Sequence, residues 1–91
     1  MDNYLYVAWF RDNLLDSNDQ DHEWCACINI KTDSQEKALE WGDYLSKQYS
    51  SRNLNEMFFK SYIDLDLSAQ SDPSVPSIKY GQIASDKEIG W

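Results

Sequence analysis

Apolar positions recur every three or four residues through TDSQEKALEWGDYLSKQYSSR, residues 32–52. Ala38, Trp41, Gly42, Leu45 and Tyr49 fall on one stripe of a helix of about 3.6 residues per turn, with Leu39 at its edge. Glu36, Glu40, Asp43, Tyr44, Lys47 and Gln48 supply the polar side. Asp33 is placed to cap the first turn with Glu36 three residues on, and Lys47 and Arg52 suit the negative end of the helix dipole. Such a helix packs by one face. Gly42 lies near the centre of that face, where a missing side chain admits a close neighbour at a propensity cost of about 1 kcal/mol against Ala.

The segments around the helix alternate with a period of two. Residues 4–11, YLYVAWFR, read as a strand with Leu5, Val7 and Trp9 on one face and Tyr4, Tyr6, Ala8 and Phe10 on the other. Both faces are apolar, the mark of a central strand. Residues 24–31, WCACINIK, set Trp24, Ala26, Ile28 and Ile30 against Cys25, Cys27, Asn29 and Lys31, and the first set is expected to face the helix. Residues 57–67, MFFKSYIDLDL, alternate Met57, Phe59, Ser61, Ile63 and Leu65 with Phe58, Lys60, Tyr62, Asp64 and Asp66, the second set mixing aromatic and charged groups as a partner-facing surface does. Residues 77–84, SIKYGQIA, read as a short fourth strand in which Gly81 marks a bulge or close packing. In the closing SDKEIGW, Ser85 and Glu88 suit the capping of one helical turn, leaving Ile89 and Trp91 to pack.

The order strand-strand-helix-strand-strand in 91 residues predicts one α+β domain spanning residues 1–91. It is a two-layer sandwich: a four-stranded, mostly antiparallel sheet made of two hairpins, with one main helix on one face. A helix of about 18 residues is roughly 27 Å long and covers only part of such a sheet. The opposite face, read as Tyr4, Tyr6, Phe10, Phe58, Tyr62 and Tyr80, is then an exposed aromatic patch suited to a protein partner or to a homodimer.

Charge narrows the choice of partner. Sixteen acidic residues oppose eight basic ones, a formal charge of −8, which disfavours direct binding to nucleic-acid phosphates or anionic membranes and favours a basic protein. The acids concentrate in residues 12–23, DNLLDSNDQDHE, a turn-rich loop with no Lys or Arg that contains Asp12, Asp16, Asp19, Asp21 and Glu23. Leu14 and Leu15 are out of place there, either tucked against the sheet or exposed as a contact. No apolar run approaches the ~20 residues of a membrane span, and the first residues lack the basic and apolar regions of a signal peptide, so the chain reads as cytoplasmic with reduced thiols.

Catalytic and metal constellations are missing. The acidic loop lacks the glycine and terminal glutamate of a calcium loop. Cys25 and Cys27 share a strand face without a second cysteine pair for zinc, in a spacing poor for bridging each other. His22, the single histidine, reads as a solvated loop residue without a nucleophile to serve, and Asp64 and Asp66 lack the further acids of a hydrolytic cleft. Three isolated glycines make no phosphate loop. The expectation is a protein without enzymatic activity and without a cofactor.

A small, acidic, single α+β domain without catalytic equipment resembles, at the level of a class, the immunity proteins that bacteria keep against secreted toxins. The segments ALEWGDYL and SDKEIGW also look like parts of small uncharacterised bacterial proteins. The resemblance implies inhibition of a toxin domain, often a basic nuclease. On this reading Asp12, Asp16, Asp19, Asp21 and Glu23, with Asp64 and Asp66, attract the partner, and Tyr6, Phe58 and Tyr62 anchor it. Two other classes fit the same composition: a phage-encoded anti-CRISPR or anti-restriction inhibitor imitating nucleic acid, weakened by the interspersed Lys31, Lys37, Lys47, Lys60 and Lys79, and a non-catalytic subunit or ligand-binding module.

Overall fold

The computed structural model describes residues 2–68 and 74–85. Its elements are β1 (Asp2–Asp12), β2 (Glu23–Thr32), α1 (Gln35–Arg52), β3 (Glu56–Asp64), a short α2 (Leu65–Ser68) and β4 (Ser77–Lys79). The strands form one sheet in the order β3-β1-β2-β4. β1 pairs antiparallel with both β2 and β3, so those two run parallel to each other across it, and β4 adds parallel to β2. The α+β class with one main helix on a four-stranded mixed sheet therefore holds, and the expected hairpin between the third and fourth strands does not form. The third strand ends at Asp64 and gives way to α2, and the fourth has three residues, placing Ile78 opposite Ile30 and inside the core. Gly81 adopts φ 82° in a turn with open space around it, so conformation and not close packing explains it. Of the closing segment, residues 86–91 lie outside the described residues.

The helix begins one residue later than the acidic pattern suggests. Ser34 is the N-cap, its Oγ accepting from the Lys37 N–H, while Asp33 pairs with the Lys37 ammonium at 3.2 Å. At the other end Asn53 donates both its backbone N–H and its Nδ2 to the Tyr49 carbonyl. The face turned to the sheet buries Ala38, Gly42, Leu45 and Ser46, with Leu39, Trp41 and Tyr49 packed against the core beside them.

β1 presents Tyr4, Tyr6, Ala8 and Phe10 to the helix, the reverse of the expected orientation. Each pairs directly with a β2 residue of the helix-facing set: Tyr4 with Ile30, Tyr6 with Ile28, Ala8 with Ala26, Phe10 with Trp24. Tyr6 and Phe10 are fully buried, Phe10 at the centre of an aromatic cluster with Trp24 stacked at 4.8 Å, Tyr49 edge-on at 5.1 Å and Phe58 at 5.7 Å. Phe58 reaches the same face as Ser61 and Ile63 because the register slips at Trp9/Phe10: Phe10 is opposite Phe58 but Trp9 is opposite Lys60, so Phe59 is the extra residue of a bulge. Strict alternation along residues 57–67 thus fails at its centre.

Gly42 sits directly over the Tyr6 ring, and a Cβ there would overlap the ring carbons. The phenol ends in a polar cluster: it donates to Asp43 Oδ1 at 2.8 Å, the Ser46 hydroxyl lies 2.8 Å away, and Ser61 of β3 donates to the same Asp43 oxygen. Since the single phenol proton goes to Asp43, Ser46 donates to the phenol oxygen. Asp43 therefore belongs to the packed face, not to the solvated side. Burial, with the Asp43 carboxylate beside it, holds the Tyr6 phenol far above its ordinary pKa of 10.0.

Two outcomes follow from this contact. Helix propensity alone would make Gly42→Ala stabilising by about 1 kcal/mol; overlap with a ring that cannot move makes it destabilising by about 1–3 kcal/mol, read as a lowered chemical-denaturation midpoint. Tyr6→Phe leaves the buried Ser46 hydroxyl without its partner and lowers stability by about 1–3 kcal/mol at neutral pH. Because the folded phenol titrates above the unfolded one, the unfolded chain loses that proton first, so the wild type loses stability as pH rises past about 10, and Tyr6→Phe flattens that alkaline fall. Parallel wild-type and variant profiles above pH 10 would contradict the assignment.

Candidate partner-binding surface

The loop joining β1 to β2 is a chain of aspartate-capped turns. Asp12 Oδ1 accepts from the Leu14 N–H, Asp16 Oδ1 from Asn18 and Asp19 Oδ1 from Asp21, each at 2.9 Å. Backbone bonds from Leu15 to Asp12, Asp19 to Asp16 and His22 to Asp19 close the successive turns, and Asp12 N–H donates to the His22 carbonyl at 2.7 Å. His22 is half-buried, and since a carbonyl only accepts, its Nδ1–H donates to the Asp12 oxygen at 3.0 Å. It closes the loop instead of standing free in solvent. Glu23 faces Arg11 at 3.6 Å.

The loop does not stand alone. Asn13 N–H donates to the Asn55 carbonyl at 2.7 Å, tying it to the connection between α1 and β3. The carboxylates of the loop, Glu56 and the C-terminal end of α1 with its negative dipole pole thus share one end of the molecule, where Arg11 and Arg52 are the basic residues. At the opposite end, ten residues or about 30 Å along β2, Lys31, Lys37 and Lys79 line a shallow hollow with Asp33 and Tyr80. Asp2, Asp33, Glu36 and Asp64 lie at that end too, so acids and lysines mix there, whereas the loop end is predominantly acidic.

The structure separates the residues that the alternating pattern grouped. Asp12, Asp16, Asp19, Asp21 and Glu23 gather at the acidic end. Tyr6 is fully buried under the helix and so cannot meet a partner, and Phe58 is partly buried against the same core. Tyr62, 43% exposed, lies on the sheet face away from the helix, opposite Val7, and Asp64 is opposite Leu5. Asp66 is exposed on α2, so Asp64 and Asp66 do not form a pair on one strand face. The aromatic patch expected opposite the helix is absent as drawn. That face carries Trp9, Phe59 and Tyr62 with two cations laid over the rings, Arg11 at 4.2 Å from the Phe59 centroid and Lys60 at 5.1 Å from that of Trp9. Tyr80 sits by the fourth strand, against Trp41.

Two exposed leucines belong to the acidic end. Leu14 is 74% exposed and Leu54 is 85% exposed, and both line a shallow hollow of about 420 Å³ with Arg52, Asn53, Asn55 and Glu56. Leu14 was visible as an apolar residue in a polar loop; Leu54, in the short connection after the helix, gave no signal until the Asn13–Asn55 bond brought the two loops together. Among the described residues no three His, Cys, Asp or Glu side chains converge to hold a metal ion, and no helix is long and apolar enough to cross a membrane.

The turns and the charge are separable. Asp16→Asn and Asp19→Asn keep a side-chain oxygen for the Asn18 and Asp21 N–H groups, so exchange of those amides stays slow; Asp16→Ala and Asp19→Ala remove it, weakening each turn by about 0.5–1.5 kcal/mol and speeding exchange accordingly. Equal exchange in the Asn and Ala variants would show that the carboxylates do not hold the loop.

No protein-family model, curated protein or solved structure matches the chain.

Proposed function

We propose that this protein is a non-catalytic binding inhibitor, an immunity protein that seizes a basic toxin domain such as a nuclease with its acidic end. The observation that carries the reading is the gathering of Asp12, Asp16, Asp19, Asp21, Glu23 and Glu56 around the exposed pair Leu14 and Leu54. A predominantly acidic rim around an apolar centre suits a protein interface: the rim steers a basic partner and the centre excludes water on contact. The local turns hold the loop in shape beforehand, reducing the entropy lost on association.

The division of labour gives distinct kinetics. Neutralising Asp16, Asp19, Asp21 and Glu23 to Asn and Gln slows association with the partner and flattens its dependence on salt, with dissociation little changed. Leu54→Ala leaves association alone and speeds dissociation, by an amount worth about 2 kcal/mol if the residue is a hot spot. Tyr62→Ala, some 20 Å along β3 from Glu56, changes neither. The test uses the basic domain encoded beside this chain in its native genome: co-expression with this chain restores growth to cells that the domain alone kills, and surface-plasmon kinetics at two salt concentrations compare the variants. Failure to restore growth, or association indifferent to salt and to the loop substitutions, would overturn the reading.

A further inference from the structure

On the sheet face away from the helix, Cys25 and Cys27 lie two residues apart on β2, opposite Trp9 and Val7 of β1. Cys25 is exposed, Cys27 is half-buried, and neither is in a disulfide. Positions two apart on a strand project from the same face, so the two thiols are neighbours on this surface. We propose that the two sulfurs form a chelate for a soft, two-coordinate d10 cation, Cu(I) being the type.

The donor set decides the class of ion. Thiolates select soft metals over the hard cations that suit carboxylates. Tetrahedral zinc requires four ligands, and the described residues supply no third donor: the histidine ring donates to the Asp12 carbonyl in the loop, and no group of three metal-binding side chains exists. A linear ion needs two donors, and a strand directs both to the same side. Binding breaks two S–H bonds, forms two S–Cu bonds and releases two protons, leaving one negative charge on the site. The Lys60 ammonium is held 5.1 Å from the centroid of the Trp9 ring, and Trp9 is the strand partner of Cys25. Because both thiols must give up their protons to the metal, the ion binds more tightly as pH rises.

The test takes the whole reduced chain without oxygen and titrates it with Cu(I) in the presence of bicinchoninate, a colorimetric competitor. The expected result is one Cu(I) withheld per chain, quenched indole emission that Trp9→Phe abolishes, and a monomer by light scattering before and after. Cys25→Ser, at an exposed position that leaves the fold intact by circular dichroism, lowers affinity by roughly a hundredfold or more, the gain that a second linked ligand confers; Cys27→Ser does the same. A Cys25→Ser chain that holds Cu(I) as wild type does, an ion bound between two chains, or complete loss of Cu(I) to the competitor would each overturn the chelate.

Discussion

The seat of the Tyr6 ring beneath Gly42 sets the relation of the helix to the sheet. A helix that buries Ala38, Gly42 and Ser46 comes close to the strands, and the space above the glycine is filled by Tyr6, the largest fully buried side chain. Ring packing alone would tolerate small slides of the helix along the sheet. The phenol removes that freedom, because its oxygen meets Asp43 and Ser46 at one helix position only, and Asp43 at that position also receives Ser61 from β3. One cluster thus ties β1, α1 and β3, and in a low-dielectric site a satisfied network specifies a single arrangement at the expense of any that leaves a member unpaired.

The helix stripe, the role of Gly42 and the helix-facing side of β2 were legible because each rests on periodicity with one apolar side. β1 was not, since both its faces are apolar, and the choice between them depends on which ring fits over Gly42 and on the pairing of Phe10 with Trp24, both tertiary facts. β3 misled by its bulge: one extra residue at Phe59 moves Phe58 from the surface set into the core. Asp43 read as solvated by composition, and no local rule announces that a carboxylate will meet a tyrosine thirty-seven residues away. The fourth strand was found but misplaced, because pattern carries no information on which sheet edge a three-residue strand will join.

Chain direction explains why negative groups concentrate at the loop end. β1 and β2 meet in the acidic loop, so α1 must run back along the sheet from the far end and finish beside that loop, where Asn13 bonds Asn55. The dipole of α1 then adds its negative pole to the loop carboxylates, and its positive pole lies among Lys31, Lys37 and Lys79. The concentration of negative groups at the loop end is a consequence of topology as much as of composition.

The acidic loop satisfies more than its own folding requires. Asx turns are made as well by asparagine as by aspartate, since each needs only a side-chain oxygen at the right offset. Asp12, Asp16 and Asp19 all serve that purpose with ionised groups, beside Asp21, Glu23, Glu56 and the helix pole, where like charges repel and destabilise the compact state. Two leucines stand exposed in the same place, although burying either would stabilise the fold by about 1.5–3 kcal/mol. Crowded like charges and unburied apolar surface at one end are each unfavourable for the isolated chain, and a basic partner with an apolar contact would relieve both at once.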